Sequence, residues 1–266
     1  MRRLTQNLHL PVILFISILF FSSCTIISPK TSKGLLAPSE ADAMISTLKR
    51  QNHRLITFKG LGNIVLLGSE RKEVATRIAW IASAPDRIRI TISSISGQPI
   101  ISLASDGDWL YLVSYAKGEF FKKRATSSNM KHFFSISIKT QDVVNILSGR
   151  VPFGKYDSAV LVKAGISSPA GNDHENVLIL KDKWGNVIEK IYINPSHDVQ
   201  KIEMFHPTGD LLYRVEFYGM HQINGYRIPS RLKVSNNDGQ GFKLSLDRYW
   251  VVAEVSPSVF RLIPPK

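Results

Sequence analysis

Apolar and polar positions alternate along most of this chain. Arg87-Ile88-Arg89-Ile90-Thr91-Ile92 puts three isoleucines on one face and Arg, Arg and Thr on the other, the period of a half-buried strand. Phe242-Lys243-Leu244-Ser245-Leu246 repeats the pattern, and 109–115, 159–163, 177–180, 187–193, 199–205 and 211–218 are further apolar strand candidates. Turn formers stand between them: Asp106-Gly107-Asp108, Trp184-Gly185-Asn186, Pro207-Thr208-Gly209-Asp210 and Asn237-Asp238-Gly239. About ten or eleven strands at this spacing predict an antiparallel sheet, sandwich or barrel. Helical signals are few. Ser39 followed by Glu40 and Asp42 reads as a capped start to a helix over roughly 40–52. Thr140-Gln141-Asp142 precedes Val143, Val144, Ile146 and Leu147 and is closed by Gly149, and residues 127–134 form a weaker candidate.

The first residues follow a different rule. Met1-Arg2-Arg3 leads into an apolar run from Leu10 to Phe21, then Ser22-Ser23-Cys24. Basic residues, about a dozen apolar ones and a small-residue break describe an export signal, and the run falls short of the ~20 residues of a membrane span. Cys24 is the single cysteine of 266 residues, so the chain has neither an internal disulfide nor a cysteine-built zinc site. This expectation divides the chain into a signal peptide over 1–23, an anchor cysteine and Ser/Thr/Lys/Pro-rich tether over 24–39, and one folded domain over 40–266.

Charge bears on partners. The formal charge is +13, and loss of Arg2 and Arg3 lowers it by only two. An exported, anchored protein does not meet nucleic acid, so the basic surface faces anionic lipid or is a solvated exterior. Lys117, Lys122, Lys123 and Arg124 around Phe120 and Phe121 suit an edge strand protected by lysines. The motifs of hydrolases, zinc proteases and nucleotide-binding loops are missing. Asp173-His174-Glu175 lies in a polar loop and Asp106-Gly107-Asp108 in a hairpin turn, and both are solvated segments on this reading. No cofactor and no metal is expected, and an enzyme is the least favoured class. Ser93-Ser94-Ile95-Ser96-Gly97-Gln98-Pro99 joins two strands. Its one large apolar residue, Ile95, either returns to the core, continues the preceding strand, or forms an exposed tip.

Taken in order, these segments resemble a known family. The apolar run ending at Cys24 is similar to a bacterial lipobox, with Phe21 where Leu is usual. The Arg87-x-Arg89 strand, a loop with an aliphatic residue near Gly97, Ile-Ser-Leu-Ala-Ser-Asp-Gly at 101–107, Thr-Gln-Asp-Val-Val-Asn-Ile-Leu-Ser-Gly at 140–149 and the terminal Phe-Arg-Leu-Ile-Pro-Pro follow. Together they resemble the LolA/LolB superfamily, and more its outer-membrane lipoprotein branch. The resemblance implies an unclosed antiparallel β-barrel whose helices lid an apolar cavity. It also implies acylation at Cys24, with Thr25 compatible with the outer membrane, periplasm-facing placement and a monomeric state. Its partners would be acylated lipoproteins, a LolA-type periplasmic carrier and outer-membrane lipids. Ile95, Ser96 and Gly97 would form the loop that enters the bilayer, although the family's Pro-Leu-Gly is interrupted here by Ser96. The chain is also longer than usual, with 172–176 as an insertion.

Candidate cavity residues are Ile78, Trp80, Ile88, Ile90, Ile92, Leu110, Leu112, Val215 and Phe217, all on alternating faces. Alternation alone does not say which face lines a cavity. The function expected from the resemblance is to receive lipoproteins by their acyl chains and insert them into the outer membrane. The alternatives are a lipoprotein of the same fold binding another lipid or glycolipid, or a structural envelope lipoprotein with no cavity.

Overall fold

A computed structural model describes residues 39–68, 74–163 and 176–265. Cys24 and the Asp173-His174-Glu175 loop lie outside these residues. The first element is helix α1, Glu40–Arg50, and it starts where the sequence predicts. The Ser39 hydroxyl accepts the Asp42 N–H at 3.1 Å, and the Asp42 carboxylate accepts the Ser39 N–H at 3.3 Å. This reciprocal cap satisfies two otherwise orphaned donors. Ala41, Ile45 and Leu48 form its buried face. The helix ends two residues earlier than predicted because Asn52 takes a left-handed conformation. There its side chain ties three segments together, donating to the Ser148 and Arg227 carbonyls at 2.8 and 2.7 Å and accepting the Arg227 N–H at 3.1 Å.

Thirteen strands follow among the described residues, against the ten or eleven expected. They are β1 Thr57–Leu67, β2 Thr76–Ser83, β3 Arg87–Ser93, β4 Pro99–Asp106, β5 Trp109–Ser114, β6 Glu119–Arg124, β7 Ser158–Val162, β8 Asn176–Lys181, β9 Val187–Ile193, β10 Val199–Phe205, β11 Leu211–Ile223, β12 Tyr226–Ser235 and β13 Gly241–Val252. Between β6 and β7 come α2, Ser127–Phe134, and α3, Thr140–Leu147, and a 3₁₀ turn, Pro257–Phe260, lies near the end. The strands without a candidate of their own are those whose alternation is least clear. β1 carries Gly60 and Gly62, and β12 contains Pro229, which argues against a strand in the sequence.

All thirteen strands form one antiparallel sheet in the order β6-β5-β4-β3-β2-β1-β13-β12-β11-β10-β9-β8-β7. Two meanders, β1–β6 and β7–β13, meet where β1 pairs with β13, from Thr57↔Val252 to Leu67↔Gly241. β6 and β7 are the two edges and do not pair, so the barrel is unclosed. Lys122, Lys123 and Arg124 stand on edge strand β6, as the sequence predicts, and Lys122 and Arg124 each sit 4.4 Å from the Trp109 ring.

One face of the sheet carries the core. Rows of register-matched side chains cross it, including Leu178, Ile191, Ile202, Val215, Val234 and Phe242 on neighbouring strands. The helices lay Ile45, Leu48, Met130, Phe134, Val143, Val144, Ile146 and Leu147 onto the same cluster. A smaller cluster, Ala104, Tyr111, Val113 and Leu262, forms on the opposite face under the C-terminal segment.

Candidate functional site

The inner face of the sheet and its helical lid define the site. Trp80, Ile90, Leu103 and Leu112 are register partners across β2 to β5, as are Ile78, Ile92 and Ile101 across β2 to β4. Ile78, Trp80, Ile88, Ile90, Leu110, Val215 and Phe217 are all buried in the main cluster, and Ile92 is half-buried against it. These expected cavity residues therefore share one face, which alternation could not settle. Gly60 makes part of this wall possible: a Cβ there would stand 2.1 Å from the Trp80 ring, so the indole lies across β1 only because the side chain opposite is missing. Most of this interior is filled by side chains of the helices.

It opens beside α2. A cavity of about 330 Å³ lies between the inner face of β4–β6 and α2, lined by Ile101, Leu110, Leu112, Phe121, Lys123, Asn129, His132 and Phe133. That is within the range of small-molecule sites, about 300–1,000 Å³. Two other depressions, about 470 and 510 Å³, are lined by Lys59, Leu61, Ala79 and Trp250 and by Leu61, Arg77, Gly97 and Arg248. They lie along the outward residues of β1, β2 and β13, away from the lid.

The lid over the cavity is slight. α2 has eight residues, far fewer than an isolated helix needs in water. Its N-terminus is capped by the Thr126 hydroxyl, which accepts the Asn129 N–H at 3.3 Å. Ser135, left-handed, closes it, and Asn236 Nδ2 donates to the Ser135 carbonyl at 3.2 Å. Asn129 Nδ2 donates to the Arg124 carbonyl of β6 at 2.9 Å, and between these end contacts Met130 and Phe134 hold the helix by apolar packing, with the Phe134 ring 5.2 Å from that of Phe242. Such contacts can be exchanged for those of an acyl chain at little net cost, because apolar surface stays covered.

α3 is held differently, through polar groups that the sequence reading did not single out as a site. The Tyr213 hydroxyl on β11 donates to Asp142 of α3 at 3.0 Å. Burial raises the pKa of the Asp142 carboxyl and, together with the charges of Asp142 and Glu189, that of the Tyr213 hydroxyl. Nearby Glu189, fully buried on β9, is pushed up to about 8, first by burial and also by the Asp142 charge, while the Gly154 N–H, 3.0 Å away, opposes the shift. Its Oε1 has no hydrogen-bond partner among the described residues. This cluster lines none of the cavities above, and its geometry is that of a tether between lid and sheet. The signal for Glu189 was available, since it shares the strand face of Ile191 and Ile193 and a carboxyl on an apolar face is costly unless protonated or paired.

At the β3–β4 hairpin, strand β3 stops at Ser93 and Ile95 is 100% exposed, so it neither returns to the core nor extends the strand. Gly97 N–H donates to the Ser94 carbonyl at 2.9 Å and Ser94 N–H to the Gln98 carbonyl at 2.8 Å. The hydroxyls of Ser94 and Ser96 lie 2.8 Å apart. Gly97 has φ +86°, a conformation that favours glycine. Ile95 and Ser96 are thus the two central residues of a hydrogen-bonded turn, and the additional serine lengthens the tip without loosening it.

No protein-family model and no curated protein matches the sequence. Solved structures do match. A LolA superfamily protein from Nitrosomonas europaea aligns with 84% of this chain and 97% of its own at 12% identity and TM-score 0.53. An outer-membrane lipoprotein-sorting protein domain from Vibrio parahaemolyticus aligns with 82% and 94% at 15% identity and TM-score 0.55. A DUF1329 family protein from Desulfovibrio piger aligns with 83% and 94% at 12% identity and TM-score 0.57. The chain has the LolA-type fold: an open antiparallel barrel with a helical lid over an apolar inner face.

Proposed function

We propose that this chain is an envelope lipoprotein that receives other lipoproteins by their acyl chains and passes them into a membrane, as in the LolB branch of its fold class. The observation that carries the reading is the apolar cavity between β4–β6 and α2, which opens from the same face as the main core. Covering an acyl chain contributes about 0.8 kcal/mol per methylene, so passage from one such interior to another, or to a bilayer, needs a descending series of affinities and no energy input. Held mainly by apolar packing, α2 is the part of the lid that yields to the incoming chain. A fully exposed Ile95 on a hydrogen-bonded turn supports contact with the bilayer at release. The export segment ending at Cys24 supports a lipid anchor, and Thr25 supports the outer membrane, where a LolA-type carrier would deliver the passenger.

The test is transfer of a purified acylated lipoprotein from this protein to phospholipid vesicles. Ile95→Glu is expected to leave passenger binding unchanged and slow transfer at least about tenfold, since a carboxylate resists entry into hydrocarbon. Equal transfer by the two proteins would remove Ile95 from the mechanism. A second reading, a carrier of free lipid, is favoured by one observation: about 330 Å³ suits one chain better than the several of a lipoprotein.

A further inference from the structure

The rim of the cavity differs in chemistry from its walls. Leu110, Leu112, Phe121 and Phe133 make an apolar channel, and Lys123 and His132 line the same space from β6 and α2. The alternation of β6 separates its cations. Lys122 and Arg124 lie over the Trp109 ring on the outer face, and Lys123, with Phe121, faces the cavity. Neither Lys123 nor His132 makes an ion pair or hydrogen bond among the described residues. No acidic residue occurs between Phe120 and Gln141, a stretch that also holds Lys131 and Lys139. Basic groups lining an apolar slot select a ligand of the opposite sign with an apolar tail.

We propose that this mouth is a binding site for an anionic single-chain lipid. Its acyl chain would lie along Leu112, Phe121 and Phe133, and its oxyanion head would pair with Lys123 and His132. The proposal rests on reading the interior as an acyl-chain site and adds the charge of the ligand. It also makes such a lipid a competitor of the lipoprotein passenger for one entrance.

The experiment uses the mature chain, residues 24–266, with Cys24→Ala so that no lipid of its own enters the site. Binding is measured by calorimetry, below micelle formation, for a lysophosphatidylglycerol, a fatty acid and an uncharged monoacylglycerol of equal chain length, and for inorganic phosphate in excess. The two anionic lipids are expected to bind about tenfold more tightly than the monoacylglycerol, the scale of one hydrogen bond to a charged group, with the gap narrowing as salt rises. Lys123→Glu with His132→Glu is expected to abolish the gap and leave the monoacylglycerol affinity in place, which also reports that the variant is folded. Equal affinity for charged and uncharged lipids, or a gap that survives the double variant, overturns the proposal but leaves the acyl-chain reading standing. Binding of inorganic phosphate as tightly as the lysolipid also overturns it. Binding of none of the lipids overturns both.

Discussion

The β7–β13 meander and the β4–β6 edge are built from the same kind of alternating strand, yet their inner faces are packed to different degrees. In the first, Leu178, Leu180, Ile191, Ile193, Ile202, Tyr213 and Val215 are completely buried or nearly so. α3 is pinned there by the Tyr213 to Asp142 hydrogen bond, and Asn52 ties the ends of α1 and α3 to β12. In the second, α2 is bonded at its two ends, Asn129 to the Arg124 carbonyl and Asn236 to the Ser135 carbonyl, rests on apolar contact between them, and is separated in part from the sheet by a cavity of about 330 Å³. A directional bond fixes a lid in one position, whereas apolar contact tolerates exchange of one neighbour for another. The difference fits the proposed function, with a structural role for one half of the interior and ligand exchange for the other.

The largest effect should come from placing a charge on each side. Val215→Asp puts an unpaired carboxyl into a fully closed core and is expected to cost about 3–5 kcal/mol in chemical denaturation. Leu112→Asp, at the cavity, is expected to cost about 1 kcal/mol while abolishing acyl-chain binding. Similar stability losses at the two sites would erase the distinction.

The next effect is a pH dependence confined to the tethered half. Glu189 has its carboxyl raised in the folded protein to about 8 from 4.5, so the folded state holds this proton more tightly than the unfolded one. Its stabilising contribution is whole below about 4.5, declines as pH rises toward about 8, and is lost above it. Glu189→Gln is expected to flatten this decline, gaining a few kcal/mol over wild type at pH 8 and little at pH 4.5. Parallel stability curves for the two proteins across this range would contradict the assignment.

Tyr213→Phe should be milder. It removes the donor to a buried carboxyl and is expected to cost about 1–3 kcal/mol. Amide exchange should quicken in α3 while α2 changes little. Faster exchange in both helices together would mean that the lid moves as one body.

Much of this arrangement could be read from the residues. The capped start of α1, the hairpin turns, the lysine-protected edge and the antiparallel architecture all follow from short-range chemistry that acts before tertiary contacts form. The strands around Gly60 and Pro229 were harder to see, because β1 and β12 take their order from neighbours on both sides. The candidate wall residues could be named but not oriented, since a period of two marks a face without saying what covers it. Of the residues lining the cavity mouth, Leu110 and Leu112 were among the candidates and the rest were not. The mouth depends on Phe133 and His132 of α2 meeting Leu110 and Leu112 of β5, a contact set by the path of the chain between β6 and β7.

The central claim is that the interior accepts acyl chains, and retention of an acylated passenger tests it most directly. A chain of residues 24–266 with Cys24→Ala is mixed in detergent-free buffer with one lipoprotein in two forms, acylated and carrying alanine in place of its lipidated cysteine, and the mixtures are separated by size. The account predicts that only the acylated form co-elutes, and that Leu112→Asp releases it. Co-elution of neither form, or of both equally, would contradict it.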